Sequence, residues 1–241
     1  MRDTDADWRE IGAQFPYWGV LTAPEYRQAE LSPEMLETFY ATGRDHMADV
    51  ARRLGQLSGA PLKVGSALDF GCGVGRLTEA MSAYADQVTG VDISPGMLAQ
   101  ARANSGGIAV YDDVLPERSV DWINSFIVFQ HIPPERGMAL LHSLLTLLAP
   151  GGFVSLHFTT GREPHLGPTP ATLRPSRTPV GRAYRKLRPP KDLPVGHMLM
   201  HDYDLGRVVD ALHGAGIGEM HLAPTNHGGH LGEMIFGRRA G

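Results

Sequence analysis

Cysteine is almost missing from this sequence: Cys72 is the one thiol in 241 residues. A single thiol excludes an internal disulfide framework and suits a reducing compartment. Long apolar runs are missing as well. Nothing approaches the roughly 20 consecutive apolar residues that span a bilayer, and the first residues, MRDTDADWRE, are acidic where a secretion signal would be apolar. Nor does one sign of charge dominate. Against 26 Asp and Glu stand 22 Lys and Arg, a formal net charge of −4, which gives no global reason to invoke nucleic acid or an anionic membrane. The expectation is a soluble cytoplasmic protein with no membrane partner. Its composition, 42% hydrophobic and 20% charged, is that of a globular chain long enough for one large domain with a cap or lid attached.

What is present is an ordered alternation. Aromatic residues mark the first 60 positions, and SPEMLETFYATGRDHMADVARRL reads as a helix with Ser32 as N-cap and Pro33 at its first position. From residue 66 strand-like and helix-like runs take turns: SALDF, RLTEAMSAYA, QVTGVD, SPGMLAQARAN opened by Ser94 and Pro95, GIAVY, VDWINSFIVF ending near Phe129, PPERGMALLHSLLTLLAP, and FVSLHFT. Such alternation predicts a doubly wound α/β fold, a parallel sheet with helices on both faces. Residues 161–198 break the pattern. They are rich in Pro, Gly and basic side chains, and read as an inserted lid. After them, YDLGRVVDALHGAG is a helix that Asp202 is placed to cap, and IGEMHLA and LGEMIFG are strands joined by PTNHGGH. The expected organisation is a helical cap over 1–60 and a ligand-binding domain over 61–241.

The stretch DFGCGVGRLT carries the chemistry. Gly71, Gly73 and Gly75 follow the first strand of the alternation, where glycine lets the backbone approach a ligand closely. A dinucleotide fingerprint needs G-x-G-x-x-G, but the third glycine here comes one residue early and Arg76 stands in its place. A phosphate-binding P-loop is excluded because no Gly-Lys-Ser/Thr follows. Asp69, two residues before the first glycine, would repel a pyrophosphate and suits a cationic ammonium group. Asp92, at the end of the second strand, is placed to accept from ribose hydroxyls.

With those residues in view, the sequence resembles the class I S-adenosylmethionine-dependent methyltransferases. ALDFGCGVGRLT, VTGVDIS, YDDVLPERSVDWINSFIVFQHIP and LLAPGGFVSLHF are similar to that family's motifs, in the family's order, over residues 66–159. The resemblance implies a Rossmann-like seven-stranded sheet ordered 3-2-1-4-5-7-6 with the last strand antiparallel. It implies S-adenosylmethionine as cofactor and S-adenosylhomocysteine as product. Asp69 and the turn Gly71-Cys72-Gly73-Val74-Gly75 would surround the methionine end, and Asp92 would hold the ribose. Ile93 and Met97 would pack near the adenine, Asp112 or Asp113 would accept from its amino group, and the Val114 amide would read the ring. Backbone groups around Ser125 and Phe126 would receive the cofactor's amino group.

The methyl acceptor is less legible. His131 lies just past the fourth strand, where it would serve as a base or as a structural histidine. Tyr17 and Trp18 would line an acceptor pocket or dock the cap. The basic insert would clamp an anionic acceptor, or remain solvated. No metal is expected: His197 and His201 have helical ligand spacing, but no cysteine or carboxylate triad accompanies them. The leading expectation is an enzyme methylating oxygen or nitrogen of a small molecule from specialised metabolism. A nucleic-acid methyltransferase and a catalytically inactive cofactor-binding partner subunit are the alternatives. The acidity of the chain and the lack of an Asn/Asp/Ser-Pro-Pro-aromatic motif after the fourth strand argue against nucleic acid. Nothing in the sequence sets the oligomeric state.

Overall fold

The computed structural model describes residues 4–28, 30–166, 196 and 198–241. The lid expected over 161–198, with its basic residues from Arg174 to Lys191 and with His197, lies outside the described residues except at its two ends. Among the described residues, seven strands form one sheet in the order β3-β2-β1-β4-β5-β7-β6. They are β1 (Val64–Phe70), β2 (Ala85–Val91), β3 (Ala109–Asp112), β4 (Val120–Ser125), β5 (Leu148–Arg162), β6 (Ile217–His227) and β7 (His230–Arg239). β1 to β5 pair in parallel, and β7 runs antiparallel to both β5 and β6. The order and the reversed last strand are those implied by the family resemblance.

Strict alternation along the central strands builds two cores. Leu68, Ile123, Val154 and Ile235 point to one face, where Leu141 and Leu144 of α6 (Pro134–Leu147) and Val208 and Leu212 of α7 (Leu205–Gly214) cover them. Their sequence neighbours Ala67, Trp122, Phe153 and Phe236 point to the other face. There they meet Met47 and Leu54 of α3 (Pro33–Ser58) and Met81 of α4 (Arg76–Met81). The period of two and the register that aligns Ala67 with Trp122 and Trp122 with Phe153 make both faces continuous. Each large side chain so buried contributes about 1.5–3 kcal/mol.

The remaining helices close the end of the sheet where the parallel strands finish. α5 (Pro95–Ala103) follows β2, while α1 (Thr4–Gln14) and α2 (Pro16–Val20) pack on α5. Contact is close: a Cβ on Gly96 would overlap the Gly12 backbone. Ser32 caps α3 by accepting from the Met35 amide at 3.3 Å, and Ser94 caps α5 through the Met97 amide, as the sequence predicts.

Three expectations need correction. The cap of α7 is Asp204, whose side chain accepts from the Arg207 amide; Asp202 is held instead by the Arg162 guanidinium at 3.0 Å. β4 stops at Ser125 and does not reach Phe129, because Ile127 turns to φ 58°, outside any strand geometry, and Phe129–His131 form a 3-10 turn. The segment PTNHGGH is not a linker. β6 runs through it to His227, and Gly228 and Gly229, with φ of 63° and 91°, make a two-residue hairpin turn to His230.

Candidate active site

β1 delivers the glycine turn to the open end of the sheet. The Gly71 and Cys72 amides both donate to the Val91 carbonyl, at 2.7 and 3.0 Å, so the turn is tied to the end of β2. Gly71, Gly73 and Gly75 have φ of 77°, 55° and 81°, the left-handed region that side chains disfavour. A Cβ at Gly71 would drive into the Val128 side chain, and one at Gly73 would lie 2.7 Å from Val20. The backbone can therefore form a cradle only because these residues lack side chains.

Beneath the cradle, Asp69 is 2% exposed. Its two oxygens accept from Asn124 Nδ2 at 2.8 Å and Thr78 Oγ1 at 2.7 Å. Asn124 in turn accepts from Ser155 Oγ at 2.7 Å, and Ser155 accepts from Trp122 Nε1 at 2.9 Å. One buried polar chain thus runs across β5, β4 and β1 to the first turn of α4. Burial pushes the Asp69 carboxyl above its ordinary value, while the Thr78 and Asn124 hydrogen bonds and the Arg76 charge oppose that rise.

Asp92 closes the cradle from the β2 side. Its Oδ2 accepts from the Gly73 amide and its Oδ1 from the Ser94 amide, each at 2.9 Å. Burial raises its pKa to about 6, against the two amide hydrogen bonds. Asp69 and Asp92 both face a cavity of about 250 Å³, with Gly71, Cys72, Gly73, Ile93, Met97, Asp113, Phe126 and His131 also in its wall.

The structure divides the adjacent aspartates. Asp112 turns back on its own loop and accepts from the Asp113 and Val114 amides at 2.8 and 3.4 Å, whereas Asp113 lines the cavity. The Val114 amide is thereby engaged, and its side chain is exposed. Gly75 and Ser125 stand behind the wall. Gly75 accommodates Tyr111, and the Ser125 hydroxyl donates to the Phe70 carbonyl at 3.0 Å.

Tyr17 and Trp18 are not in the cavity wall. Tyr17 is 4% exposed, accepts from Asn104 Nδ2 at 2.9 Å, donates to Gln100 Oε1 at 3.2 Å and packs edge-on against Phe39. Trp18 packs against Phe15 and lies under the Arg27 guanidinium. Tyr17 docks α2, since a ring buried on α5 and α3 cannot also face the ligand, and Trp18 packs half-buried within the cap. The cap's contribution to the wall is Thr4, Asp5, Trp8, Gly19 and Val20, and Asp5 is clasped by both terminal nitrogens of Arg136 at 2.6 and 2.8 Å.

His131 faces the cavity with Trp8 packed edge-on at 4.7 Å, but both of its nitrogens are engaged. Nδ1 lies 3.0 Å from the Leu199 carbonyl, which only accepts, so Nδ1 carries the proton. Nε2 lies 3.1 Å from Gln130 Nε2. The Thr159 hydroxyl donates to Gln130 Oε1 at 2.7 Å, which turns the amide NH2 toward His131. Burial first lowers the pKa of His131 to about 4, with the Leu199 contact opposing. The ring is neutral, and its lone pair is already used.

Arg76 and Ile127 are among the wall residues that escaped the sequence reading. Arg76 is 7% exposed; its Nη1 donates to Thr42 at 3.2 Å, and its buried Nε has no partner among the described residues. A cation in the first turn of a helix is disfavoured by the helix dipole, a signal the sequence did contain. Ile127, a β-branched residue at φ 58°, sits in the wall between Phe126 and Val128. Strain of this kind, costing about 1–3 kcal/mol, gathers where a site dictates the backbone, and no sequence pattern announces it. Among the described residues no group of His, Cys, Asp or Glu is arranged to hold a metal ion, and no helix is long and apolar enough to cross a membrane.

Comparison with known proteins matches residues 67–152 to the family described as "Methyltransferase domain". The "Ubiquinone biosynthesis O-methyltransferase" of Xanthomonas campestris pv. campestris is 33% identical over 107 residues, 40% of this chain and 44% of that protein. The "Trans-aconitate 2-methyltransferase" of Methylobacterium nodulans is 36% identical over 110 residues, 43% of this chain and 41% of that protein. The chain thus spans under half the length of these relatives. Among solved structures, magnesium protoporphyrin IX methyltransferase from Synechocystis PCC 6803 with bound SAH shares the fold at a TM-score of 0.63 and 18% identity, over 99% of this chain and 100% of that one.

Proposed function

We propose that this chain, whose residues 67–152 match the family described as "Methyltransferase domain", transfers a methyl group from S-adenosylmethionine to oxygen or nitrogen of a small molecule. The observation that carries this reading is the placement of two carboxylates, the buried Asp69 and the half-buried Asp92, on one glycine cradle. A pyrophosphate would be repelled by Asp69.

The wall fits this donor group by group. Asp69 and Arg76 put opposite charges on one wall, which matches the ammonium and carboxylate of an amino-acid end. Asp92 has acceptor capacity left on both oxygens for the ribose hydroxyls. Ile93 and Met97 would offer an apolar surface to the adenine, and Asp113, which lines the cavity, would accept from its amino group. The backbone around Phe126 would lie along the amino-acid end. When bound, the donor supplies a methyl group activated by its sulfonium charge. The chain's own residues hold the two partners in line and exclude water, which is where catalysis of a displacement resides. Trp8, Val20 and the Asp5–Arg136 clasp support the exclusion of water by covering the cavity from the α1 side.

The relatives' names include an O-methyltransferase, which supports an oxygen acceptor. The anionic character expected of the acceptor rests on basic residues outside the described ones. A cytoplasmic location is supported by the single cysteine. Calorimetric titration with S-adenosylmethionine tests the proposal: the wild type binds, and Asp92→Ala binds at least ten-fold more weakly. Equal binding by both, or binding by neither, overturns it. A labelled-methyl screen of small molecules then identifies the acceptor.

A further inference from the structure

Phe126 belongs to the cavity wall, and its ring also touches a second group of side chains that the donor does not use. The His46 ring lies 4.1 Å from it, the His157 ring 5.3 Å and the His227 ring 5.5 Å, with His157 and His227 5.1 Å apart. These imidazoles come from α3, β5 and the end of β6, so only folding gathers them. Each presents a buried nitrogen with no hydrogen-bond partner among the described residues: His46 Nε2, His157 Nδ1 and His227 Nε2. His157 is 1% exposed, and its other nitrogen lies 2.9 Å from the Thr225 hydroxyl.

A buried polar atom left unmatched costs about 1–3 kcal/mol, and native structures rarely place three such atoms together. The group is also uncharged. Burial is the first cause lowering all three histidines, His46 to about 4 and His157 to about 3. Of the surrounding groups, Arg76 disfavours and Asp49 favours a proton on His46, His131 disfavours one on His157, and His230 disfavours one on His227. Neutral imidazoles offer both lone pairs and N–H groups, and offer no counter-charge to a carboxylate or an ammonium. Their flat faces, set around the Phe126 ring, suit an aromatic ligand.

We propose that His46, His157 and His227, with Phe126, form the methyl-acceptor subsite, and that it takes an uncharged aromatic compound bearing hydroxyl groups. The hydroxyls bond the unmatched imidazole nitrogens while the ring packs on Phe126, the side chain this group shares with the donor cavity. The assignment as acceptor rests on the methyltransferase reading above. In the transfer, a hydroxyl oxygen bonds the methyl carbon as the carbon–sulfur bond breaks. The bonding pair stays on sulfur, and the hydroxyl proton leaves through an imidazole nitrogen to solvent.

The test is NMR on the full chain saturated with S-adenosylhomocysteine, observing both ligand signals and histidine ring protons, using catechols and naphthols with matched benzoates and benzylamines. The neutral hydroxyaromatics are expected to bind and to shift the ring protons of His46, His157 and His227 in the wild type. Their affinity should fall at least ten-fold in His157→Phe and in His227→Phe, with S-adenosylhomocysteine affinity unchanged. His157→Asn, which keeps polar groups, serves if the Phe variant does not fold, and should retain part of the affinity. Binding confined to the benzoates or benzylamines, equal affinity in wild type and variants, or binding that requires added Zn²⁺ and disappears with a chelator overturns the subsite. Failure of the wild type to bind S-adenosylhomocysteine overturns the donor reading instead. Donor binding without hydroxyaromatic binding overturns the subsite alone.

Discussion

The side-chain amide of Gln130 lies 3.1 Å from Nε2 of His131 and occupies the lone pair that a general base would need. With Nδ1 fixed on the Leu199 carbonyl, His131 is a neutral tie between the end of β4 and the segment leading to α7. Removal of a general base costs about 10²–10⁴ in rate. His131→Asn is therefore expected to keep kcat within ten-fold of wild type once an acceptor is in hand, while losing stability. A larger fall in kcat, with a lost acid limb in the pH–rate profile, contradicts this.

The same contacts set a pH dependence of stability. His131 and His46 have pKa values of about 4 and His157 of about 3, against about 6.5 in an unfolded chain. Between these limits the unfolded state binds more protons, so stability is fully present above pH 6.5 and is lost as pH falls through about 4. For His131 the loss is about 3 kcal/mol at most. Urea melts from pH 8 to pH 4 should show a shallower acid decline in His131→Asn. An unchanged slope contradicts the buried neutral state.

Two glycines separate backbone strain from crowding. Gly59, the C-cap of α3, has φ 72° and open space for 4 Å around the position a Cβ would take, whereas Gly71 has φ 77° and Val128 in the way. Gly59→Ala should cost only the left-handed penalty, about 1–2 kcal/mol. Gly71→Ala should cost more and weaken S-adenosylhomocysteine binding at least ten-fold. Equal melting shifts for the two variants would mean that the turn yields without cost.

Thr78→Val removes one of the two donors to Asp69 and nearly preserves shape. The expected loss is about 1–3 kcal/mol. That hydrogen bond holds the carboxyl down against burial, so its removal raises the Asp69 pKa further. Affinity for the donor's ammonium should fall as pH is lowered, and the fall should begin at higher pH in the variant. Calorimetry from pH 5 to pH 8 reads the displacement.

Arg76→Met tests whether the buried guanidinium meets a carboxylate. S-adenosylhomocysteine should bind at least ten-fold more weakly, while 5′-methylthioadenosine, which has no amino-acid end, should bind as before. Equal losses for both ligands would assign Arg76 to structure alone.

The sheet and the glycine turn beside Asp69 and Asp92 are legible in the sequence because both are written locally. Alternation of period two sets the two faces of Leu68 and Ala67, Ser32 and Ser94 announce their helices, and the spacing of Asp69, Gly71, Gly73 and Asp92 follows from one turn between consecutive strands. Local signals failed where a distant partner decided the outcome. Arg162 took Asp202 from the helix it was expected to cap, α5 and α3 took the ring of Tyr17, and Gln130 took the lone pair of His131. The meeting of His46, His157 and His227 at Phe126 belongs to the folded chain alone. They lie far apart in the chain, and whether a histidine becomes an unmatched buried nitrogen depends on what burial strips from it, which no spacing records.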